Sequence, residues 1–163
     1  MTDVTITALP AVTLHAFEIW SNPGAVAERF AAIKGMALPV MGRSAGSDTL
    51  RLIRYEPTVW LVEGEPVGLS EVLADDGAVT AIGSGILRVR LSGNAWRTLL
   101  MEGGVLDAEN PAVVPGCSAA TIIEHVNVRL HVVSEDACIA YIPLSFSEAM
   151  LHFWNEAAQT LAL

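Results

Sequence analysis

Ala119-Ala120-Thr121-Ile122-Ile123-Glu124-His125-Val126-Asn127-Val128-Arg129-Leu130-His131-Val132-Val133 alternates apolar and polar side chains, and after Ser134-Glu135-Asp136 the chain resumes as Cys138-Ile139-Ala140-Tyr141-Ile142. Period-two alternation rich in Ile and Val predicts one long strand over residues 119–133, and the acidic triplet predicts a turn into a returning strand, together a hairpin. Immediately afterwards Ser145 stands three residues before Glu148, the spacing in which each side chain accepts from the other's unpaired backbone N–H at a helix start. Phe146, Ala149, Met150, Phe153, Ala157 and Leu161 then form one apolar stripe, with Ser147, Glu148, His152, Asn155, Glu156 and Gln159 on the wet side. A hairpin that runs into an amphipathic helix must bury one sheet face under that helix, which is the signature of a layered α+β domain.

The same grammar extends towards the N-terminus. Ser92 precedes a helix carrying Trp96, Leu99 and Leu100, which Gly103-Gly104 ends, and residues 105–116 read as loop. Residues 79–91 read as extended chain broken at Gly83-Ser84-Gly85. Further back, residues 12–20 read as a strand. Asn22-Pro23 opens a helix with Val26, Phe30 and Ile33 on one side, and Gly35 closes it. A polar loop at 42–48 follows, then a hairpin around Glu56-Pro57-Thr58, then a short helix at 69–73 ended by Asp75-Asp76-Gly77, acids expected to be solvated at a turn. The second half loosely repeats strand, helix, hairpin. That points to a duplicated ferredoxin-like arrangement, because a doubly wound parallel sheet would need crossover helices between all its strands.

At 163 residues the chain suits one domain over 1–163, and its 52% hydrophobic and 17% charged composition calls for a large buried core. A net charge of −9 repels phosphate backbones and anionic lipid, so nucleic acid and membrane surface are excluded as expected partners. Cys117 and Cys138, the two cysteines, have no paired spacing and read as reduced thiols. No Lys or Arg precedes Arg29, so the basic start of a secretion signal is missing, and no apolar run is long enough to span a bilayer. The expected compartment is the cytoplasm.

Residues able to carry chemistry are few. On one strand of 119–133, His125 and His131 would share a face about 20 Å apart, too far to share an ion, and no zinc-type cluster occurs. Ser84 lacks the flanking glycines of a nucleophile elbow, and Cys117 has no basic neighbour nearer in sequence than Arg129. No glycine-rich phosphate loop occurs, and Lys34 is the single lysine. Arg88 and Arg90 lie on one strand face, where they either clamp a carboxylate or make ion pairs across an interface; Arg129 is the third arginine of interest. Trp20, Trp60, Trp96 and Trp154 sit in expected elements, and any that reach the surface would be interface anchors, with Trp60 and Trp154 as the candidates.

Several pieces, in this order and spacing, resemble the gamma subunit family of heterotetrameric sarcosine oxidase: Trp60-Leu61-Val62, Leu91-Ser92-Gly93, Pro115-Gly116 with Thr121, and Ser145-Phe146 leading to Phe153-Trp154-Asn155-Glu156-Ala157-Ala158. The chain departs from that pattern at Ala81-Ile82-Gly83-Ser84 and at Leu144, where the family tends to carry polar residues. The resemblance implies the folate-binding-domain fold of glycine-cleavage aminomethyltransferases. It also implies a non-catalytic subunit serving assembly and stability beside larger alpha- and beta-type flavoenzyme subunits, which hold FAD, FMN, NAD and tetrahydrofolate, so that this chain has no cofactor or metal of its own. A stand-alone module binding a small anionic ligand, and a homo-oligomer, are the alternatives.

Overall fold

A computed structural model describes residues 3–162. In chain order its elements are β1 (Thr5–Ala8), β2 (Leu14–Ile19), α1 (Pro23–Lys34), β3 (Ser44–Gly46), β4 (Leu50–Arg54), β5 (Val59–Gly64), α2 (Leu69–Leu73), β6 (Gly77–Ala81), β7 (Ile86–Ser92), α3 (Trp96–Met101), β8 (Ser118–Ile123), β9 (Val126–Ser134), β10 (Ala137–Pro143) and α4 (Ser147–Leu161). The backbone gathers into two compact units, one from Val12 to Ser84 and one that joins the residues up to Ala11 with those from Gly85 onward.

Each unit holds a five-stranded antiparallel sheet, ordered β3-β4-β5-β2-β6 and β1-β7-β10-β9-β8. Without the outer strand β3, the first unit is β2-α1-β4-β5-α2-β6 with sheet order β4-β5-β2-β6, which is ferredoxin-like. Without the outer strand β8, the second follows the same path through β7, α3, β9, β10 and α4, and its fourth strand is β1 from the other end of the chain. The duplicated α+β arrangement expected from the element order is therefore present, with one strand of the second copy moved to the N-terminus.

In the Val12–Ser84 unit, α1 starts with Pro23 at its first turn and ends at Gly35, whose N–H makes the last helical bond to the Ala31 carbonyl and whose φ of 68° turns the chain out of the helix. Val26 and Phe30 are buried, whereas Ile33, expected on the same stripe, is exposed. Phe17 on β2 meets the ring of Phe30 at 6.2 Å and that of Trp60 at 5.9 Å, both edge-on. Leu69, Val72 and Leu73 of α2 complete this core.

A buried-edge ion pair ties the unit's connections together. Arg29 donates to the Val72 and Leu73 carbonyls and to Asp76 Oδ2 at 2.7 Å, while Asp76 Oδ1 accepts from Ser21 and Asn22. Asp76, expected as a solvated turn acid, is instead the joint between β2, α1 and α2. Hydrogen bonds from Arg29, Ser21 and Asn22 hold its pKa down at about 2, below its ordinary 3.8. A carboxyl whose folded pKa is depressed stabilises the fold fully above its unfolded value and loses that contribution as pH falls from 3.8 towards 2. Asp76→Asn is thus expected to lower the melting temperature at pH 7 but to converge with the parent near pH 2. A constant difference across pH 2–7 contradicts the role given to Asp76.

In the second unit, Val89, Leu91, Val128, Leu130, Val132, Cys138, Ala140 and Ile142 present one sheet face to Trp96, Leu99 and Leu100 of α3 and Met150 and Trp154 of α4. Two expectations are corrected here. The expected long strand is two strands, since Ile123 pairs with Val126 around a two-residue turn, Glu124-His125, in which both residues have positive φ, 46° and 67°. Such a turn normally announces itself with Asn or Gly, and neither is present. The capping box is not formed: a 3-10 turn over Leu144–Phe146 moves the helix start to Ser147, Phe146 takes the cap position without a side-chain bond, and its ring is half exposed.

Candidate functional site

Strand register decides where the arginines fall. Arg88 stands opposite Tyr141, which stands opposite Arg129; Arg90 stands opposite Ile139, which stands opposite His131. Two neighbouring rows on one face of the β1-β7-β10-β9-β8 sheet therefore carry three arginines and a histidine, with Arg88 and Arg129 separated by about 10 Å of backbone. The site is not an open clamp. Arg88 donates to the Pro10 carbonyl at 2.9 Å, and Arg88, Arg129, His131 and Tyr141 all have further partners. Arg90 is exposed beside Asp136, whose pKa is lowered chiefly by the Ser134 hydroxyl at 2.6 Å and to a smaller extent by the Arg90 charge.

The tryptophans separate more sharply. Trp60 and Trp154, the expected anchors, are 4% and 0% exposed and fill the cores of the two units. Trp60 donates to the Pro39 carbonyl and lies under the Arg54 guanidinium at 4.4 Å. Trp20, just past the end of β2, is the one at the surface, 65% exposed. Its position immediately after the strand and before the Asn22-Pro23 helix start was the available sequence signal.

The remaining candidates are dispersed. His125 lies in the β8–β9 turn and His131 is buried on β9, so they do not share a strand as expected. Among the described residues no group of three or more His, Cys, Asp or Glu side chains is placed to hold a metal ion. Ser84 is exposed in the 3-10 turn Gly83–Gly85. Cys117 and Cys138 are both free thiols. They flank Val132 on opposite sides, since Val132 N–H bonds the Cys117 carbonyl and Val132 pairs with Cys138, which leaves their backbones about 10 Å apart and beyond disulfide reach. Both line a small apolar cleft with Trp96, Leu100, Leu130 and Val132 that offers no polar side chain to orient a ligand. Burial pushes the Cys138 thiol up to about 12, so a thiol-reactive reagent at pH 8 is expected to modify Cys117 alone in the native chain and both cysteines after denaturation. Equal native reactivity contradicts this packing.

The surface is more informative than the interior. Besides Trp20, the exposed large apolar side chains include Ile33 and Val67, Val105 and Ile122, and Leu144 and Phe146. Gly68 packs within reach of Ile33, and Gly104 bridges Ile123, so the first two pairs are each neighbours in space.

No protein-family model matches the sequence, and no curated protein matches it. Solved structures do. A chain of the heterotetrameric sarcosine oxidase from Corynebacterium sp. U-96, in complex with pyrrole 2-carboxylate, superposes with a TM-score of 0.86 at 20% identity over 98% of this chain and 86% of that one. The fold is that of a sarcosine oxidase chain. The glycine cleavage system aminomethyltransferase T from Bartonella henselae matches with a TM-score of 0.63 at 15% identity over 94% of this chain, which spans 45% of that enzyme. The resemblance read from Trp60-Leu61-Val62 to Ala158 thus holds at the level of the fold. Among the described residues no helix is long and apolar enough to cross a membrane.

Proposed function

We propose that the chain is a non-catalytic, gamma-like subunit of a heteromeric, flavin-dependent sarcosine oxidase-type complex, with residues 1–163 acting as one domain that serves assembly and stability. The observation that carries this reading is the match along 98% of the chain to one chain of a heterotetrameric sarcosine oxidase that is itself only slightly longer. Exposed Trp20 and the apolar pairs at the surface support it, because large apolar side chains that meet water in the free chain are economical when another subunit covers them. On this reading the complex is cytoplasmic, and FAD, FMN, NAD and tetrahydrofolate belong to the alpha- and beta-type subunits. The apolar cleft by Cys117 does not suit a pterin, which needs several convergent hydrogen-bonding groups.

The test is omission. Expressing alpha- and beta-type subunits from the same genome with and without this chain is expected to give a several-fold higher yield of soluble, flavin-loaded complex when it is present. Equal yields and equal thermal stability contradict the proposal. The alternative, a small-anion module, has in its favour the gathering of Arg88, Arg90 and Arg129 on one face; a saturable rise in melting temperature with folates would favour it over the subunit role.

A further inference from the structure

We infer that the outer edge of β6, together with Trp20, is the surface on which a cationic strand of the larger partner subunit docks by extending the β3-β4-β5-β2-β6 sheet. The inference rests on the subunit role proposed above and names the place and chemistry of the contact.

The hydrogen-bonding phase of β6 fixes which groups are available. Trp20 N–H bonds the Asp76 carbonyl and Ile82 N–H bonds the Leu14 carbonyl, so along the antiparallel ladder the even-numbered residues of β6 exchange bonds with β2. Gly77, Val79 and Ala81 then turn their N–H and C=O groups away from β2, and β6 is the last strand of its sheet. Five residues, Gly-Ala-Val-Thr-Ala, contain no charge and no proline, the devices that ordinarily keep such an edge from pairing. Of the other three outer strands, β3 has three residues, the end of β8 is bridged by Gly104 at Ile123, and β1, four residues and likewise uncharged, turns its one large apolar side chain, Ile6, to the core of its own unit.

Trp20 marks one end of this edge. Its backbone is held to Asp76, next to the first residue of β6, and its ring is 65% exposed. Tryptophan in that setting is the residue type most enriched among energetic anchors of interfaces.

Charge selects the occupant. Between Arg54 and Arg88 the sequence holds six acids and no Lys or Arg, and none precedes Arg29; Asp76 among the six is already paired with Arg29, so the acids that matter at this edge are those exposed beside β6. Glu18, paired with Ala78 across the ladder, and Asp75, just before β6, are both exposed. A second copy of the chain would bring a charge of −9 against −9. A strand bearing Lys or Arg, one of them over the Trp20 ring, satisfies both the acids and the π-face.

The experiment titrates this chain and two variants, Trp20→Ala and Ala81→Pro, against co-purified alpha- and beta-type subunits at 50 and 500 mM salt, with amide hydrogen exchange on the free and bound chain. Ala81 is exposed and its N–H faces outward, so proline there removes an edge donor and leaves the ladder to β2 intact. Trp20→Ala is expected to weaken binding about 30-fold and Ala81→Pro about tenfold, with unchanged circular dichroism. High salt is expected to weaken the parent complex, and the amides of Gly77, Val79 and Ala81 are expected to slow their exchange only in it. A complex indifferent to both variants, with those amides unprotected, overturns the docking site while leaving the subunit role standing. Absence of any complex overturns both, and self-association of the chain that Trp20→Ala abolishes overturns the assignment of the occupant.

Discussion

Replacing Trp96 with alanine is expected to remove about 3–5 kcal/mol of stability, measured as a drop in the urea midpoint at unchanged slope. Trp96 is 1% exposed and packs with Leu99 and Leu100 of α3 against the sheet of the second unit, so truncation leaves a cavity that the surrounding strands cannot close. Two further contacts leave with the ring. Its Nε1–H donates to the Glu135 carbonyl in the β9–β10 turn at 3.0 Å, and the Arg97 guanidinium stacks on it at 4.3 Å. Arg97 also holds the long loop after α3, through the Ala108 carbonyl. Trp96→Phe keeps most of the burial and loses the turn contact, so its cost is expected near 1 kcal/mol. A Trp96→Ala variant within about 1 kcal/mol of the parent contradicts the packing described.

Phe17→Ala is expected to cost a similar amount, about 3–5 kcal/mol, for a different reason. Phe17 is fully buried on β2, an inner strand held between β5 and β6, and it touches the rings of both Phe30 and Trp60. Its loss removes two edge-on aromatic contacts as well as buried area. Phe30→Leu, which keeps much of the volume and loses one of the two ring contacts, is expected to cost about half as much. Urea titrations of the three proteins give the comparison, and equal midpoints for Phe17→Ala and Phe30→Leu contradict the central place of Phe17.

Local chemistry made most of the fold readable. Pro23 and Gly35 bracket α1 because one needs no N–H partner and the other tolerates positive φ. The hairpin of β4 and β5 and the helices α2 and α3 were likewise legible from alternation and from glycine or acidic stops. What escaped depends on distant partners. β1 is a strand only because β7 pairs with it from across the chain, whereas β3, a three-residue Ser-Ala-Gly paired with its neighbour β4, escaped because it has no apolar alternation of its own. The Glu124-His125 turn escaped because Glu seldom takes the left-handed conformation and neither Asn nor Gly marks the turn. Asp76 looked like a solvated turn acid because its partner Arg29 lies 47 residues away.

The candidate site was legible in part for the same reason. Strand parity placed Arg88 and Arg90 together, but only register through β10 brings Arg129 to their face. Burial of tryptophan is a tertiary property: residue type alone offered four anchors, and only the place of Trp20 at a strand end, before the Asn22-Pro23 helix start, set it apart from Trp60 and Trp154.

Whether the chain is a subunit is decided by native mass spectrometry of the chain co-expressed with alpha- and beta-type subunits from the same genome. A single assembly containing one copy of this chain per pair of larger subunits, surviving buffer exchange, is expected. The chain recovered only as free monomer or only as a homo-oligomer, beside larger subunits that assemble without it, would rule out the subunit role.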